Sequence, residues 1–373
     1  MDFALDGTAI AVRDVADDVF ARHTPDWEST FGRRGEAVPD GGFDGALWQA
    51  LVDAGLMVLP LPAEFDGDDV GILGVLPLLR RMGEAAAVTP ALGTLTAAGV
   101  FAAVDGAVWQ RFGAALTGGG FAAIALGEHG DALSGTPRTT LRGGRLTGTK
   151  VGVLHAAGAS LLLVACDAGI VVVSADAPGV RITRTPASSG WGEFTVTFDD
   201  VEVADDDVIG TDIAVLRDRY RLVLCAYADG LVSGATRLTA DHVSTREQFG
   251  KPIALFQAVG QQLADIYVVG RSLNLATTAA AWRLSEGLDP SEDLAIGTYW
   301  VADEVPATTR TMTHLHGGVG VDISYPLHRY FSIAKDLARL AGGGAVRLDE
   351  LADVLEADSD SPAANSTGVS DVH

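Results

Sequence analysis

The spacing of apolar residues changes twice along this chain of 373 residues, and this change restricts the possible folds more than any single motif does. Before residue 118 the apolar positions follow the helical period, as in the stretch from Phe43 to Val52. Between residues 119 and 210 they form short β-branched runs separated by turns, and after residue 211 the helical period returns. The sequence therefore predicts an α+β protein in which a β-rich part lies between two helical parts.

These patterns divide the chain into four segments. We predict an N-terminal α-helical domain over residues 1–118, a compact middle β-domain or barrel over 119–210, and a C-terminal helical bundle over 211–356. The acidic tail, residues 357–373, has too little apolar surface to offset its ordering entropy, and we expect it to be disordered.

Element boundaries follow from turn residues and proline. A helix should begin between Leu73 and Pro77, because proline fits the first turn of a helix but not its interior. In the last part, the helical pattern is interrupted at 287–293 and at the glycine-rich 316–320. The β-branched runs of the middle part cover residues 141–154, 159–166, 168–175, 179–186 and 192–203.

Composition excludes several classes of function. The formal net charge is −23, and such a surface repels nucleic-acid phosphates and anionic lipids, so neither is an expected partner. The first residues lack a basic region followed by an apolar core, which argues against a secretory signal. The two cysteines, Cys166 and Cys225, lack metal-ligand spacing, so we expect a cytoplasmic protein without a metal site.

Four segments carry a family resemblance. They are the hairpin sequence GRLTGTKVGVL (144–154), the strand sequence GEFTVTFDDVEV (192–203), TREQFGKPIALFQAVGQQLADIY (245–267) and LHGGVGVDISYPLHRYF (315–331). In this order and inside the helical, β, helical pattern, they resemble the acyl-CoA dehydrogenase family over roughly residues 40–350. The resemblance implies a helical N-terminal domain, a β-barrel middle domain and a C-terminal four-helix bundle, assembled as a tetramer.

The resemblance also implies a chemistry and a cofactor. Members of the family desaturate an acyl-CoA thioester: a carboxylate removes the α-proton, and FAD accepts the β-hydrogen as hydride. Electrons then pass to an acceptor similar to electron-transfer flavoprotein. FAD lies across a subunit interface, with its flavin ring on one subunit and its adenosine diphosphate part against the neighbouring one.

The neighbour's share of the FAD site maps onto two segments of this chain. Arginine suits a pyrophosphate by charge and geometry, and adjacent glycines allow a close approach of the backbone. Taken alone, the arginine equally suits a surface ion pair and the glycines suit the end of a helix. The cofactor-binding residues implied by the resemblance are Arg246, Gln248, Phe249, Gln257, His314, Gly317 and Gly318.

The sequence departs from the family where the catalytic base belongs. Counting from the glycines of the HGGVG segment, the usual glutamate falls on Ala341. The other known position, on the helix before the REQFG segment, falls on Tyr220. Neither alanine nor a tyrosine of ordinary pKa near 10 is a ready base at neutral pH, so we assign no catalytic residue.

The flavin seat on the β-domain also departs from the family. Gly152 and Leu154 stand where a tryptophan and a threonine commonly wall the flavin ring. The segment Gly127–Gly130, which includes Glu128 and His129, replaces the usual threonine-glutamate-proline-glycine run. The chain has thus lost its own flavin wall and base while keeping the segments that serve a neighbour's flavin.

This pattern is typical of a non-catalytic subunit. The chain is similar to the base-lacking subunits of actinobacterial heterotetrameric (α2β2) acyl-CoA dehydrogenases of sterol catabolism, most of all in LHGGVGVDISYPLHRY and AYADGLVSGATRLTADHVSTREQFGKP. The implied partner is a base-bearing subunit, and the implied substrate is a steroid with a short branched propanoyl-CoA side chain.

Two alternatives remain open at this stage. The chain is self-sufficient if Asp229 or Glu247 acts as a displaced base, although Asp229 lies about two and a half turns beyond Tyr220 on the same helix and should point elsewhere. Alternatively, it is a structural or regulatory member of the family that binds no flavin.

Overall fold

The computed structural model describes residues 6–24, 42–65, 67–104 and 107–359. Along the chain these form helices, then strands, then helices again, so the predicted α+β architecture is confirmed. The final helix continues to Ser359, slightly beyond the predicted start of the tail at residue 357, and the rest of the tail lies outside the described residues.

Two helices described in the first helical part have side-chain N-caps. Asp6 and Asp44 provide them by accepting hydrogen bonds from Ala9 N (2.7 Å) and Leu47 N (2.9 Å). Within the described residues of this part, the helices are α1 (Gly7–Arg22), α2 (Gly45–Asp53), α3 (Ile72–Glu84), α4 (Ala91–Ala103) and α5 (Ala107–Phe112).

The position of Pro77 differs from the prediction. Helix α3 begins at Ile72, so Pro77 lies inside the helix rather than in its first turn. Proline has no N–H, and the carbonyl of Leu73 therefore receives no hydrogen bond from that residue. Burial of the apolar face of α3, which includes Leu78, Leu79 and Met82, compensates for this loss.

The middle part consists of two four-stranded sheets. One has the strand order β1-β4-β5-β8, with β1 parallel to β4, and the other is antiparallel in the order β2-β3-β7-β6. The five predicted runs contain strands, whereas β1 and β8 were not predicted. The strands are β1 (Ala122–Ala125), β2 (Thr140–Arg142), β3 (Arg145–Leu154), β4 (Leu161–Cys166), β5 (Gly169–Ser174), β6 (Val180–Thr185), β7 (Glu193–Glu202) and β8 (Val208–Gly210).

The last part is helical and is interrupted at both predicted places. It is also interrupted by the REQFG segment, which forms a small hairpin that the sequence did not predict. The elements are α6 (Ala214–Thr245), β9 (Glu247–Gln248), β10 (Lys251–Pro252), α7 (Gln257–Ser285), α8 (Ser291–Tyr299), α9 (Val305–His316), α10 (Leu327–Leu340) and α11 (Gly344–Ser359).

Helix α6 joins the two helical parts, because it packs against α3 and α4 as well as α7, α9 and α10. Its contact with α3 is a backbone contact: a Cβ on Gly230 would lie 1.9 Å from the carbonyl oxygen of Arg80, and one on Gly83 would lie 2.0 Å from that of Tyr227. Glycine is required at both positions for this close approach. The long helix thereby packs against helices of both helical parts.

Candidate functional site

A cavity of about 540 Å³ lies between the sheets of the middle part, helix α6 and the turn that follows α10. We call it the central cavity. Gly152, Tyr220 and the segment Gly127–Gly130 all line it, so the structure brings together residues that the sequence marked separately as flavin wall and base position. Leu154 is buried in the core nearby and does not line the cavity.

Neither base position offers a proton acceptor. Ala341 is fully buried in the turn after α10, between two residues that line the cavity. Tyr220 is also buried, and burial, reinforced by the nearby Glu193 carboxylate, raises the pKa of its hydroxyl well above the ordinary value. A tyrosine of raised pKa stays protonated at neutral pH and cannot act as a general base.

A carboxylate that the sequence did not single out does line this cavity. Glu193, the first residue of β7, is buried and forms an ion pair with Arg339 of α10. Burial raises the pKa of the Glu193 carboxyl, although the Arg339 guanidinium acts in the opposite direction. Arg339 also lies 3.6 Å from Asp336, which accepts hydrogen bonds from the backbone N–H groups of residues 188 and 189. This network attaches the end of α10 to the sheet.

Gly152 is in contact with the same end of α10. It has φ of +68°, and a Cβ at this position would lie 3.2 Å from Cδ2 of Leu340. A tryptophan here would therefore need both a strained backbone and the space that Leu340 occupies. The glycine and the leucine together fill the side of the cavity where the family resemblance places the flavin wall.

The segment Gly127–Gly130 is held by a buried ion pair. Glu128 accepts a hydrogen bond from Lys150 Nζ at 2.8 Å, and both side chains are almost completely buried. Burial by itself raises the pKa of Glu128, but hydrogen bonds from Lys150, Arg138 and Thr139 outweigh it and lower the pKa to about 2. His129, in contrast, is exposed. Glu128 is therefore a fixed structural anion and not a proton acceptor.

The residues mapped to a neighbour's FAD lie on the outer surface. Arg246 follows α6 directly, Gln248 lies on β9, and Phe249 forms the hairpin tip with φ of +54° and 93% of its surface exposed. Gln257 is exposed at the start of α7. Arg246 is in no ion pair with a carboxylate of the described residues, so its charge is available at this surface.

The glycine turn lies beside this hairpin. Gly317, with φ of +64°, ends α9, and both it and Gly318 are exposed, as is His314. The link between the two segments is His316, whose ring stacks on His242 in the last turn of α6, with centroids 4.3 Å apart. This stacking brings the two mapped segments together. The buried histidine next to the glycine turn is His316, whereas the predicted His314 is exposed.

The two acids considered as displaced bases lie away from the central cavity. Glu247 is exposed on the hairpin. Asp229 lines a different cavity, between α1, α3, α6 and α7, which we call the lateral cavity. There it lies 3.2 Å from Arg80 and accepts a hydrogen bond from Asn274 at 2.8 Å.

Two further observations concern the described residues only. They contain no cluster of three or more histidine, cysteine, aspartate or glutamate side chains with the geometry of a metal site. None of their helices has the length and apolar character of a membrane span.

Comparisons with known proteins identify the family. Residues 217–356 match the family described as "Acyl-CoA dehydrogenase, C-terminal domain". The acyl-CoA dehydrogenase FadE28 of Mycobacterium tuberculosis is 47% identical over 309 residues, which cover 82% of this chain and 91% of the relative.

Two solved structures are similar over nearly the whole chain. One is the ChsE4-ChsE5 complex from Mycobacterium tuberculosis, with a TM-score of 0.86 and 31% identity, covering 97% of this chain and 100% of the other. The second is a variant of the Tcur3481-Tcur3483 steroid ACAD, also with a TM-score of 0.86, at 29% identity and with coverage of 95% and 99%.

Proposed function

The chain belongs to the acyl-CoA dehydrogenase family of oxidoreductases, and from that premise we propose that it is the non-catalytic subunit of a heterotetrameric (α2β2), FAD-dependent acyl-CoA dehydrogenase. In this proposal a second, base-bearing subunit performs the α,β-desaturation of the thioester. The present chain contributes the adenosine diphosphate side of that subunit's FAD site.

The observation that carries the proposal is the absence of a proton acceptor at the two family base positions. Removal of an α-proton requires a base within about 3 Å of the carbon acid. Ala341 has no ionisable group, and the raised pKa of Tyr220 keeps it protonated. A chain with this cavity depends on another subunit for the proton-abstraction step.

The central cavity and the outer surface differ in how well they suit FAD. In this chemistry bound FAD supplies the hydride acceptor. The central cavity lacks the family's flavin wall, because Leu340 packs against Gly152 at that position, and Arg339 pairs with Glu193 on the cavity lining. The outer surface does fit the diphosphate part, since Arg246 is exposed there beside the exposed glycines Gly317 and Gly318. Gln248, Phe249, Gln257 and His314 complete the proposed contact surface.

The proposed substrate is a steroid acyl-CoA with a short branched side chain, oxidised in sterol catabolism. The support is the similarity to a protein described as a steroid ACAD, together with the sequence segments quoted above. The proposed electron acceptor is similar to electron-transfer flavoprotein, as is usual in the family.

Co-expression with a candidate base-bearing subunit tests the proposal. We expect this chain alone to be colourless and inactive, and the purified complex to show the flavin absorbance bands and to desaturate a steroid propanoyl-CoA. Arg246→Ala should lower the flavin content of the complex, whereas Arg310→Ala, at an exposed arginine on α9, should not. A homo-oligomer that is yellow and active would contradict the proposal, and a colourless complex would favour a role without flavin.

One observation favours a second candidate, a self-sufficient enzyme with a displaced base. The base would be Glu193, because this buried carboxylate of raised pKa lines the central cavity while Asp229 and Glu247 do not. If the isolated chain is active, Glu193→Gln should abolish turnover and Asp229→Asn should leave it intact.

A further inference from the structure

Helix α7 is apolar on two sides. Its inner side packs into the helical bundle through Ile266, Val269 and Leu273, which are all buried. On its outer side, Tyr267 and Val268 expose 64% and 55% of their surface. Large apolar side chains grouped on one side of a surface helix are typical of a contact with another protein chain.

The outer side follows the helical period and carries two opposite charges. Ala264, Val268 and Leu275 are exposed and repeat after four and seven residues, so they form one stripe along the helix, which we call the outer stripe. Asp265 and Arg271 lie three residues before and three residues after Val268, and both are exposed at the edges of this stripe.

This arrangement of charges is self-complementary. When two copies of α7 pack antiparallel with a two-fold axis at Val268, each residue lies level with the residue equally far beyond Val268 in the other copy. Each Arg271 is then level with the other copy's Asp265, and the long arginine side chain can reach across the stripe to it. A parallel pair would instead place like charges next to each other, which is unfavourable. The charges therefore favour an antiparallel second copy.

We propose that the outer stripe of α7 binds a second copy of this chain, antiparallel and two-fold symmetric about Val268. Val268 packs against its own counterpart at the axis, and Tyr267 and Leu275 extend the apolar contact. Arg271 pairs with the other copy's Asp265 at both ends. In the α2β2 assembly this contact joins the two copies of the present chain, a statement that rests on the proposed function, whereas the contact itself does not.

Crosslinking at the axis tests the proposal. The two native cysteines, Cys166 and Cys225, are buried, so a thiol introduced at the surface is the reactive one. In Val268→Cys the two thiols of a dimer are neighbours, and we expect a short bismaleimide to yield a covalent dimer on a denaturing gel. Leu275→Cys is the matched control: it lies seven residues from the axis, so its two copies are about 21 Å apart along the helices and should stay uncoupled.

A charge exchange distinguishes a second copy from any other occupant. Asp265→Arg should weaken dimerisation by about tenfold or more in sedimentation equilibrium, because each Arg271 then faces an arginine. Asp265→Arg/Arg271→Glu restores opposite charges and should recover the dimer. Arg271 also acts on the buried Asp229, so circular dichroism establishes that the double variant is folded. If it is not, Val268→Cys and Asp265→Arg decide the question.

The same measurements on the co-expressed complex keep this inference apart from the proposed function. A yellow, active complex in which Val268→Cys does not crosslink overturns the inference and leaves the function intact. Equal crosslinking of Val268→Cys and Leu275→Cys, or a mass that Asp265→Arg leaves unchanged, also overturns it. A dimer of the isolated chain that crosslinks at Val268→Cys, without any complex forming, supports the contact and contradicts the proposed function.

Discussion

The Lys150 ammonium group has no exposed surface, and Glu128 is its only anionic partner among the described residues. Burial lowers the pKa of Lys150, and the Glu128 carboxylate acts against that effect. A buried ion pair of this kind adds little net stability compared with apolar residues, but breaking it leaves an uncompensated charge. The pair therefore fixes the segment Gly127–Gly130 in one conformation on the cavity wall.

Glu128→Gln should accordingly destabilise the fold by about 3 to 5 kcal/mol at neutral pH, because it leaves the buried Lys150 ammonium group without an ion-pair partner among the described residues. The double variant Lys150→Met/Glu128→Gln should recover part of that loss, because no buried charge then lacks a partner. Urea unfolding at pH 7 measures both. A Glu128→Gln variant as stable as the native chain would mean that the carbonyl oxygen of Leu126 alone satisfies Lys150.

Ala341→Glu tests whether the missing base alone explains inactivity. We expect the isolated variant to remain inactive, because Leu340 still packs against Gly152. We also expect it to lose at least about 2 kcal/mol of stability, since position 341 is fully buried and a carboxylate there has to be desolvated. Thermal unfolding and a dehydrogenase assay give the two results, and Ala341→Gln separates added volume from added charge. An isolated variant that binds flavin and turns over thioester would show that the cavity had lost only its base.

At the scale of elements, the stacked pair His242 and His316 joins the end of α6 to the end of α9. Nδ1 of His316 lies 2.8 Å from the carbonyl oxygen of Met312, and its ring also contacts Tyr325. Burial lowers the pKa of both histidines, and for His242 the charges of His316 and Arg246 act in the same direction. The neutral rings thus hold the hairpin and the glycine turn together.

This arrangement has a defined pH dependence. Because the folded-state pKa values lie below the ordinary value of 6.5, the unfolded chain binds more protons in this range. The stabilisation is fully present above pH 6.5 and is lost as the pH falls through 6.5 towards the folded-state values. We expect Tm to fall over this interval, and His316→Phe, which keeps a ring but cannot be protonated, to reduce the dependence. If Tm falls with pH equally steeply in the variant, other groups cause the effect. His328 is one of them, because burial lowers its pKa as well.

The sequence predicted the type of an element where the pattern of apolar residues extended over enough residues to be recognised. The strands of ten residues, β3 and β7, were predicted, whereas β1 and β8, with four and three residues, were not. The hairpin β9–β10 escaped prediction because it is short and lies between the two longest helices. Pro77 was misplaced because burial of α3 outweighs the local cost of proline.

At the scale of the whole molecule, the features of the site that the sequence did not predict depend on contacts between residues far apart in the chain. The departures at Ala341, Tyr220 and Gly152 were predicted from the family resemblance, by counting from its motifs. The ion pair of Glu193 with Arg339 joins residues 146 positions apart, on a strand and a helix whose contact no local pattern specifies. Leu340 likewise meets Gly152 only because the end of α10 lies against β3, which is distant in the sequence.

The hairpin tip provides a test of assembly that is measured by association of the subunits rather than by flavin content. Phe249 and Gly250 both have positive φ, +54° and +78°, in a two-residue turn for which Asn-Gly is a favoured sequence. Phenylalanine is strained there, and its only ring contact among the described residues is with Phe256, at 6.2 Å. An exposed aromatic residue that costs local stability is suited to a contact with another subunit.

Phe249→Asn should therefore leave the isolated chain as stable as before, or more stable, because asparagine adopts positive φ readily. The same variant should weaken association with the base-bearing subunit by about tenfold or more, the effect of removing an aromatic anchor. Phe249→Tyr, which keeps the ring, should assemble normally. Urea unfolding and titration of one subunit with the other measure the two effects. If Phe249→Asn assembles as the native chain does, the hairpin lies outside the interface, and the proposed sharing of FAD through Arg246 fails with it.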